Sequence, residues 1–165
     1  MKISNVLNVS VATFLLLVIT WNVAAGESEV IWENPDKYTD IRAGSESQSR
    51  FEARIFNSFE KHFAKLTEKL PEGQILKIKV IDVDLAGDVR FDTMDRIRVI
   101  RDIYFPRIEF SYQLVNADKS VAQSGEINLK DMVFMGSFSR YQNKSLSYEK
   151  VMLDKWFADT FMDKS

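Results

Sequence analysis

Lys77 to Asp88 reads KIKVIDVDLAGD, and the fold is decided by how this stretch is taken. It is the most apolar run after residue 25, and it also carries Asp82, Asp84 and Asp88. Leu76, Ile78 and Val80 alternate on one face; Ile81, Val83 and Leu85 continue in the opposite phase. A phase switch of this kind predicts a β-bulge near Val80–Ile81, or a strand buried on both faces. The stretch is read as a central strand, from about Gln74 to Leu85, that ends in an acidic turn at Ala86-Gly87-Asp88.

Before it lies an amphipathic helix, expected over Ser45 to Leu70. Phe51, Ile55, Phe59, Phe63, Leu66 and Leu70 recur at steps of three and four, which gathers them within an arc of about 120°. Ser49 with Glu52 predicts a capping-box start, and Ser45 with Gln48 an earlier one. Pro71-Glu72-Gly73 ends the helix. Further upstream, Glu29 to Glu33 is a short β-like run stopped by Asn34-Pro35-Asp36.

After the central stretch, Arg96 to Tyr104 is β-like and should end at Pro106 or lie at an edge. Arg107 to Val115 alternates cleanly. Ile108, Phe110, Tyr112 and Leu114 share one face; Arg107, Glu109, Ser111 and Gln113 share the other. This predicts a sheet with one dry and one wet side. Asn116 to Lys119 is a four-residue hairpin loop. Ser120 to Leu129 returns with Val121, Ile127 and Leu129 inward, and Gly125 marks a bulge or a close contact. Lys130 to Asn143, with Met132, Val133, Phe134, Met135 and Phe138, has no clean period. A last helix is expected over Leu146 to Met162, capped by Ser145 or Ser147. Leu146, Leu153, Trp156, Phe157 and Phe161 form its core stripe, with Tyr148, Val151, Met152 and Met162 mostly opposite. A helix apolar on two sides is sandwiched or covers a partner, and the Met132–Phe138 segment is there to complete a sandwich. The fold class is α+β: an antiparallel sheet of about four or five strands with two amphipathic helices packed on one face.

The first 25 residues read differently. Met1-Lys2 gives a positive start, Val6 to Ile19 an uncharged apolar stretch, and Ala24-Ala25 a small-residue exit before Gly26. That order predicts a cleaved signal peptide over 1–25 and one exported domain over 26–165 without a stable membrane anchor. The chain has no cysteine, so disulfides and a lipid-modified cysteine are excluded. Residues 1–25 hold one lysine and no acid, so the remainder carries 21 basic and 24 acidic side chains. A mildly acidic domain is a poor candidate for nucleic acid, which calls for a basic face.

The chemistry-bearing residues are few. His62, the single histidine, falls beside the apolar stripe of the first helix, where a partly buried histidine at a helix–sheet contact is the favoured reading. Asp82-x-Asp84-x-x-Gly87-Asp88 matches an EF-hand loop at positions one, three and six. It fails at five, where Ala86 stands, and at twelve, where Thr93 replaces the bidentate glutamate. A looser cation or recognition site would use Asp84, Gly87 and Asp88, with Asp92 or Asp95. The structural alternative is an antiparallel ladder in which Asp82 and Asp84 meet Arg96 and Arg98. Gly-x-Ser-x-Gly and phosphate-cradling glycine patterns are missing. No catalytic residue, metal site or cofactor is assigned. A carboxylate pair, sufficient for glycoside hydrolysis, stays open.

Landmarks along the chain carry a resemblance. They are Asn34-Pro35, Tyr38-Thr39-Asp40-Ile41, Leu70-Pro71-x-Gly73, the DVDLAGD of 82–88, Pro106-Arg107-Ile108, Ser124-Gly125-Glu126, and Tyr148-Glu149-Lys150 with Trp156-Phe157. Together they resemble the bacterial exported family called domain of unknown function 3016, over almost the whole of residues 26–165. The resemblance implies a one-domain protein from a Gram-negative bacterium, secreted or periplasmic, with the periplasm the favoured location, and it implies no activity. The expected function is a noncatalytic binding or accessory module of the cell envelope, whose partner is an envelope protein or a small ligand. The rival is a small periplasmic hydrolase with a carboxylate site. Two close acids in a concave pocket would favour the rival; a flat apolar patch near Met152 would favour the module.

Overall fold

A computed structural model describes residues 25–90, 96–136 and 144–162. The chain runs β1 (Glu27–Trp32), α1 (Gln48–Thr67), β2 (Ile75–Asp84), β3 (Asp88–Val89), β4 (Arg98–Val99), β5 (Arg107–Val115), β6 (Val121–Lys130) and α2 (Ser147–Phe157). Four strands form one sheet in the order β1-β2-β5-β6, and β3 with β4 forms a separate two-stranded ribbon. The fold is α+β, and β2 is an interior strand.

The sheet is mixed, which corrects the expected all-antiparallel arrangement. β1 pairs parallel with β2, from Glu27 opposite Ile75 to Trp32 opposite Val80. The cause is α1. Parallel neighbours need a long crossover, usually a helix, and α1 is the crossover between β1 and β2. Trp32 on β1 stacks on Phe56 of α1 at 4.2 Å, so the helix covers the strand that precedes it.

The bulge in β2 is present. Val80 opposes Phe110 and Asp82 opposes Glu109, so Ile81 is the extra residue. Ile81 is 43% exposed, whereas Leu76, Ile78, Val80, Val83 and Leu85 are buried. One inserted residue thus lets both phases of the sequence point their apolar side chains the same way. β5 keeps its alternation throughout, with Ile108, Phe110, Tyr112 and Leu114 all buried. In β6, Ile127 and Leu129 pack against the core. Val121 does not: it is exposed at the hairpin end, beyond a register shift at Leu114/Val115. Gly125 makes the close contact, since a Cβ there would lie 3.0 Å from Tyr112 Cε1. The connection between β5 and β6 runs from Asn116 to Ser120, one residue longer than expected.

Both helices cover the same dry face. Phe110 is edge-on to Trp156 of α2 at 4.8 Å and to Phe63 of α1 at 6.4 Å. α1 begins at Gln48 after Ser47, and neither expected capping box forms there. Instead the Gln48 side chain accepts from the Ala43 N–H at 3.0 Å and donates to the Ile41 carbonyl. That ties the helix start to the preceding loop. α2 follows Leu146, which takes a left-handed φ of 57° in place of a serine cap. A wider helical turn, Ala158–Met162, continues it. The sandwich reading of α2 holds on its sequence-remote side: buried Phe134 meets Tyr148 edge-on at 4.7 Å. Met152 is buried, so it offers no exposed apolar surface itself; the exposed apolar side chains of that region are Met132, Val133 and Met135. Phe138 lies outside the described residues.

The expected strand over Arg96 to Tyr104 shrinks to the two residues of β4. They pair antiparallel with β3, which starts just after Gly87, with Asp88 opposite Val99 and Val89 opposite Arg98. Gly87 has φ 80°, and a Cβ there would lie 2.6 Å from the Val99 carbonyl oxygen. Gly87→Val is therefore expected to cost at least about 1–3 kcal/mol from backbone strain, before the clash is counted. Denaturant melts check this; a variant as stable as the parent would mean the turn can relax.

Candidate functional site

The end of β2 is held by the acids of its own stretch. Asp82 accepts the Thr39 N–H and the Thr39 hydroxyl, each at 2.7 Å, and Arg107 from β5 at 3.2 Å. The neighbouring loop also joins β2 through its backbone: the Asp40 N–H donates to Val83 O at 3.0 Å, and the Leu85 N–H to Asp40 O at 3.2 Å. The buried Asp40 carboxylate receives Arg98 at 2.8 and 3.2 Å. Arg98 donates further to the carbonyls of Gly87 at 2.8 Å and Arg42 at 3.2 Å. One planar guanidinium thus staples residues 40–42, the DLAGD turn and β4 together.

This corrects the expected ladder of Asp82 and Asp84 with Arg96 and Arg98. β2 already has β1 and the Asp40 segment on one side and β5 on the other. No edge is left for β4, which pairs with β3. Asp82 finds Arg107, Arg98 finds Asp40, and Arg96 lies just before β4 with its carbonyl against Gly44. Asp84 sits opposite Arg107 in the register. Its carboxyl is pushed up by partial burial and by the charges of Asp40 and Asp82, against the pull of Arg107 and Arg98.

Asp88 is half-buried in β3 and borders a hollow of about 230 Å³ with Arg90, Arg101 and Tyr104. Asp92, Thr93 and Asp95, which the looser cation reading used, lie outside the described residues. Among the described residues no three His, Cys, Asp or Glu side chains are placed to hold a metal ion. His62 is buried in α1, with Nε2 3.0 Å from Asp154 Oδ1 of α2. Burial pulls its pKa down, against Asp154 and a hydrogen bond to the Lys150 backbone. The structural reading of His62 fits this position, deeper than the expected helix edge.

Sequence reasoning missed Glu149. This side chain, on a residue only 3% exposed, accepts the Ala86 N–H at 2.8 Å. It joins Tyr148-Glu149-Lys150 directly to Leu85-Ala86-Gly87. A signal was available: Glu149 stands third in α2, the position from which a carboxylate reaches back over a helix start. Its neighbour Lys150 donates to Ser58 Oγ at 2.9 Å and Ser145 O at 2.8 Å.

Burial pushes the Glu149 carboxyl up from its ordinary 4.5, opposed by the Ala86 N–H and by Arg98 and Lys150. A raised carboxyl adds stability that is complete below its unfolded pKa and is lost as pH rises through its folded one. Glu149→Gln keeps the shape and can still accept from Ala86. Relative to the parent, it is expected to gain stability as pH climbs above about 4.5. Urea melts across the acid-to-neutral range check this; a constant difference between the two proteins would contradict it. His62 has the opposite sign, its contribution fading as pH falls below 6.5 toward the lowered folded value.

Beside the Ala86–Glu149 junction opens a cleft of about 380 Å³, between the start of α1, the DLAGD turn, β4 and the start of α2. Phe51, Ile55, Leu85 and Leu146 give it apolar walls. Arg42, Arg54, Arg98 and Lys144 give it a basic lining. Its volume lies within the range of small-molecule sites. A larger hollow of about 570 Å³ lies over the wet face of the sheet. Its lysines pair along the strands, Lys77 with Glu29 at 3.2 Å and Lys79 with Glu33 at 3.2 Å. That hollow is an ordinary solvated sheet face, so the smaller cleft is the better candidate.

The fold and the cleft define a small α+β domain with a ligand-sized opening at the end of its central strand. Residues 26–159 match the family model described as protein of unknown function DUF3016, and the chain belongs to that family. No curated protein matches the chain.

Proposed function

We propose that this chain is an exported, noncatalytic binding module of the cell envelope, and that its binding region is the cleft where DLAGD meets Tyr148-Glu149-Lys150. One observation carries the reading. Asp82, Asp40 and Glu149 are each engaged with the chain's own Thr39, Arg98 and Ala86, while an open cleft with apolar walls adjoins them. Groups that hold the scaffold are poorly suited to change protonation during turnover, whereas a rigid rim suits binding. Export is supported by Met1-Lys2, the apolar run and Ala24-Ala25, and by a family match that begins at residue 26. Among the described residues no helix is long and apolar enough to cross a membrane.

The hydrolase reading rests on Asp84, whose carboxyl is raised beside Asp40 and Asp82, as a general acid requires. Thermal melts with the low-molecular-weight fraction of a host envelope extract separate the two. A ligand bound only by the native state must raise the melting temperature. The module reading expects a rise in the parent and in Asp84→Asn, and none in Ile100→Trp, which fills the cleft from a partly exposed position. Loss of the rise in Asp84→Asn, with release of a cleaved product by the parent, would establish the hydrolase instead.

A further inference from the structure

The geometry points to an organic carboxylate with an apolar body as the ligand of the cleft, its head at Arg42 and Lys144 and its body against Phe51, Ile55 and Leu85. This rests on the cleft being the binding region, and it adds the chemical class.

Three features select that class. The walls are apolar, so most of the ligand surface must be apolar too. The lining carries Arg42, Arg54, Arg98 and Lys144, but two of these charges are already compensated, Arg98 by Asp40 and Arg54 by Glu46. The surplus suits a single negative charge better than a dianion. Arg42 is held loosely, 3.8 Å from Asp40 and more than half exposed, so it is free to turn toward a head group. The Nε of Arg98 is buried and has no hydrogen-bond partner among the described residues, which leaves an unused donor on a residue lining the cleft.

Of the acids beside these cations, Asp40 is already neutralised by Arg98 and Glu46 by Arg54. Glu149 is the acid among the described lining residues, and burial drives it toward its neutral form. Its carboxyl is also turned to the Ala86 N–H. The charged groups around the cleft therefore favour an anion near neutral pH, and the attraction should weaken with salt because the rim is exposed.

Apolar carboxylates come from two sources, free fatty acids and peptide C-termini. Calorimetry on the chain beginning at Gly26 would use decanoate and a short peptide ending in leucine, each beside its neutral amide. The expected result is that at least one carboxylate binds about tenfold or more tighter than its amide, a difference of about 1.4 kcal/mol. Arg42→Glu with Lys144→Glu should erase the preference without moving the melting temperature of the free protein appreciably, since both residues are exposed. The arm that binds names the source. Equal binding of acid and amide would overturn the carboxylate assignment while leaving the cleft as a binding region. Failure of all four probes, in a protein whose melting temperature still rises with envelope extract, would overturn it too. Failure of both experiments would remove the cleft reading itself.

Discussion

Replacing Arg98 by alanine is expected to cost about 3–5 kcal/mol, the loss found when one partner of a buried ion pair is removed. The side chains of Arg98 and Asp40 are only 19% and 7% exposed. Without Arg98 the Asp40 carboxylate keeps the Arg42 N–H at 3.1 Å but loses its buried countercharge. The Gly87 carbonyl also loses its 2.8 Å donor. Arg98→Lys should recover little, because a point charge cannot reach a carboxylate and two carbonyls at once. Asp40→Asn with Arg98→Ala should cost less than the two single changes summed, since the second change no longer strands a charge. Urea melts of the four proteins give the answer. A loss below about 1 kcal/mol for Arg98→Ala would place the pair among weak surface bridges.

Phe110→Ala should be comparably severe, at about 3–5 kcal/mol. Phe110 is 0% exposed and is the ring against which Trp156 of α2 and Phe63 of α1 both pack. Its removal opens a cavity between the sheet and both helices, so neither helix alone can close it. For a domain of this size the melting temperature should fall by roughly ten degrees or more. Near-ultraviolet circular dichroism should change as well, because Trp156 loses its neighbour. Phe110→Leu should recover much of the loss. Full stability in Phe110→Ala would mean that the helices do not share one dry face.

How much of this was legible in the sequence follows from the kind of signal each element carries. Side-chain alternation in β5 and the three-four spacing in α1 are set by burial, and burial is written in residue type. The bulge at Ile81 was legible for the same reason: two apolar phases in one strand need an extra residue to share a face. The parallel pairing of β1 was missed although its signal was there, because two strand-like runs flanking a long helix imply a crossover. Strand partners were harder. Placing Asp82 and Asp84 opposite Arg96 and Arg98 assumed that neighbours in sequence pair in the sheet. The chain pairs Asp88–Val89 with Arg98–Val99 in a small ribbon and gives that edge of β2 to β5. Asp40 and Glu149 entered the reading only as landmarks of the resemblance. Their roles arise from contacts 58 and 63 residues away in sequence, which local periodicity does not encode. The cleft was invisible for the same reason, since the start of α1, the DLAGD turn, β4 and the start of α2 become neighbours only after folding.

The central claim is that the acids at the end of β2 hold the fold while the cleft beside them holds a ligand. Paired mass spectra of the protein isolated from its own host, one denatured and one native, test it most directly. The account predicts a denatured mass beginning at Gly26. It also predicts a native mass heavier by one small molecule, and loss of that difference in Ile100→Trp with folding intact. A native mass equal to the denatured one in protein freshly drawn from the envelope would contradict the claim.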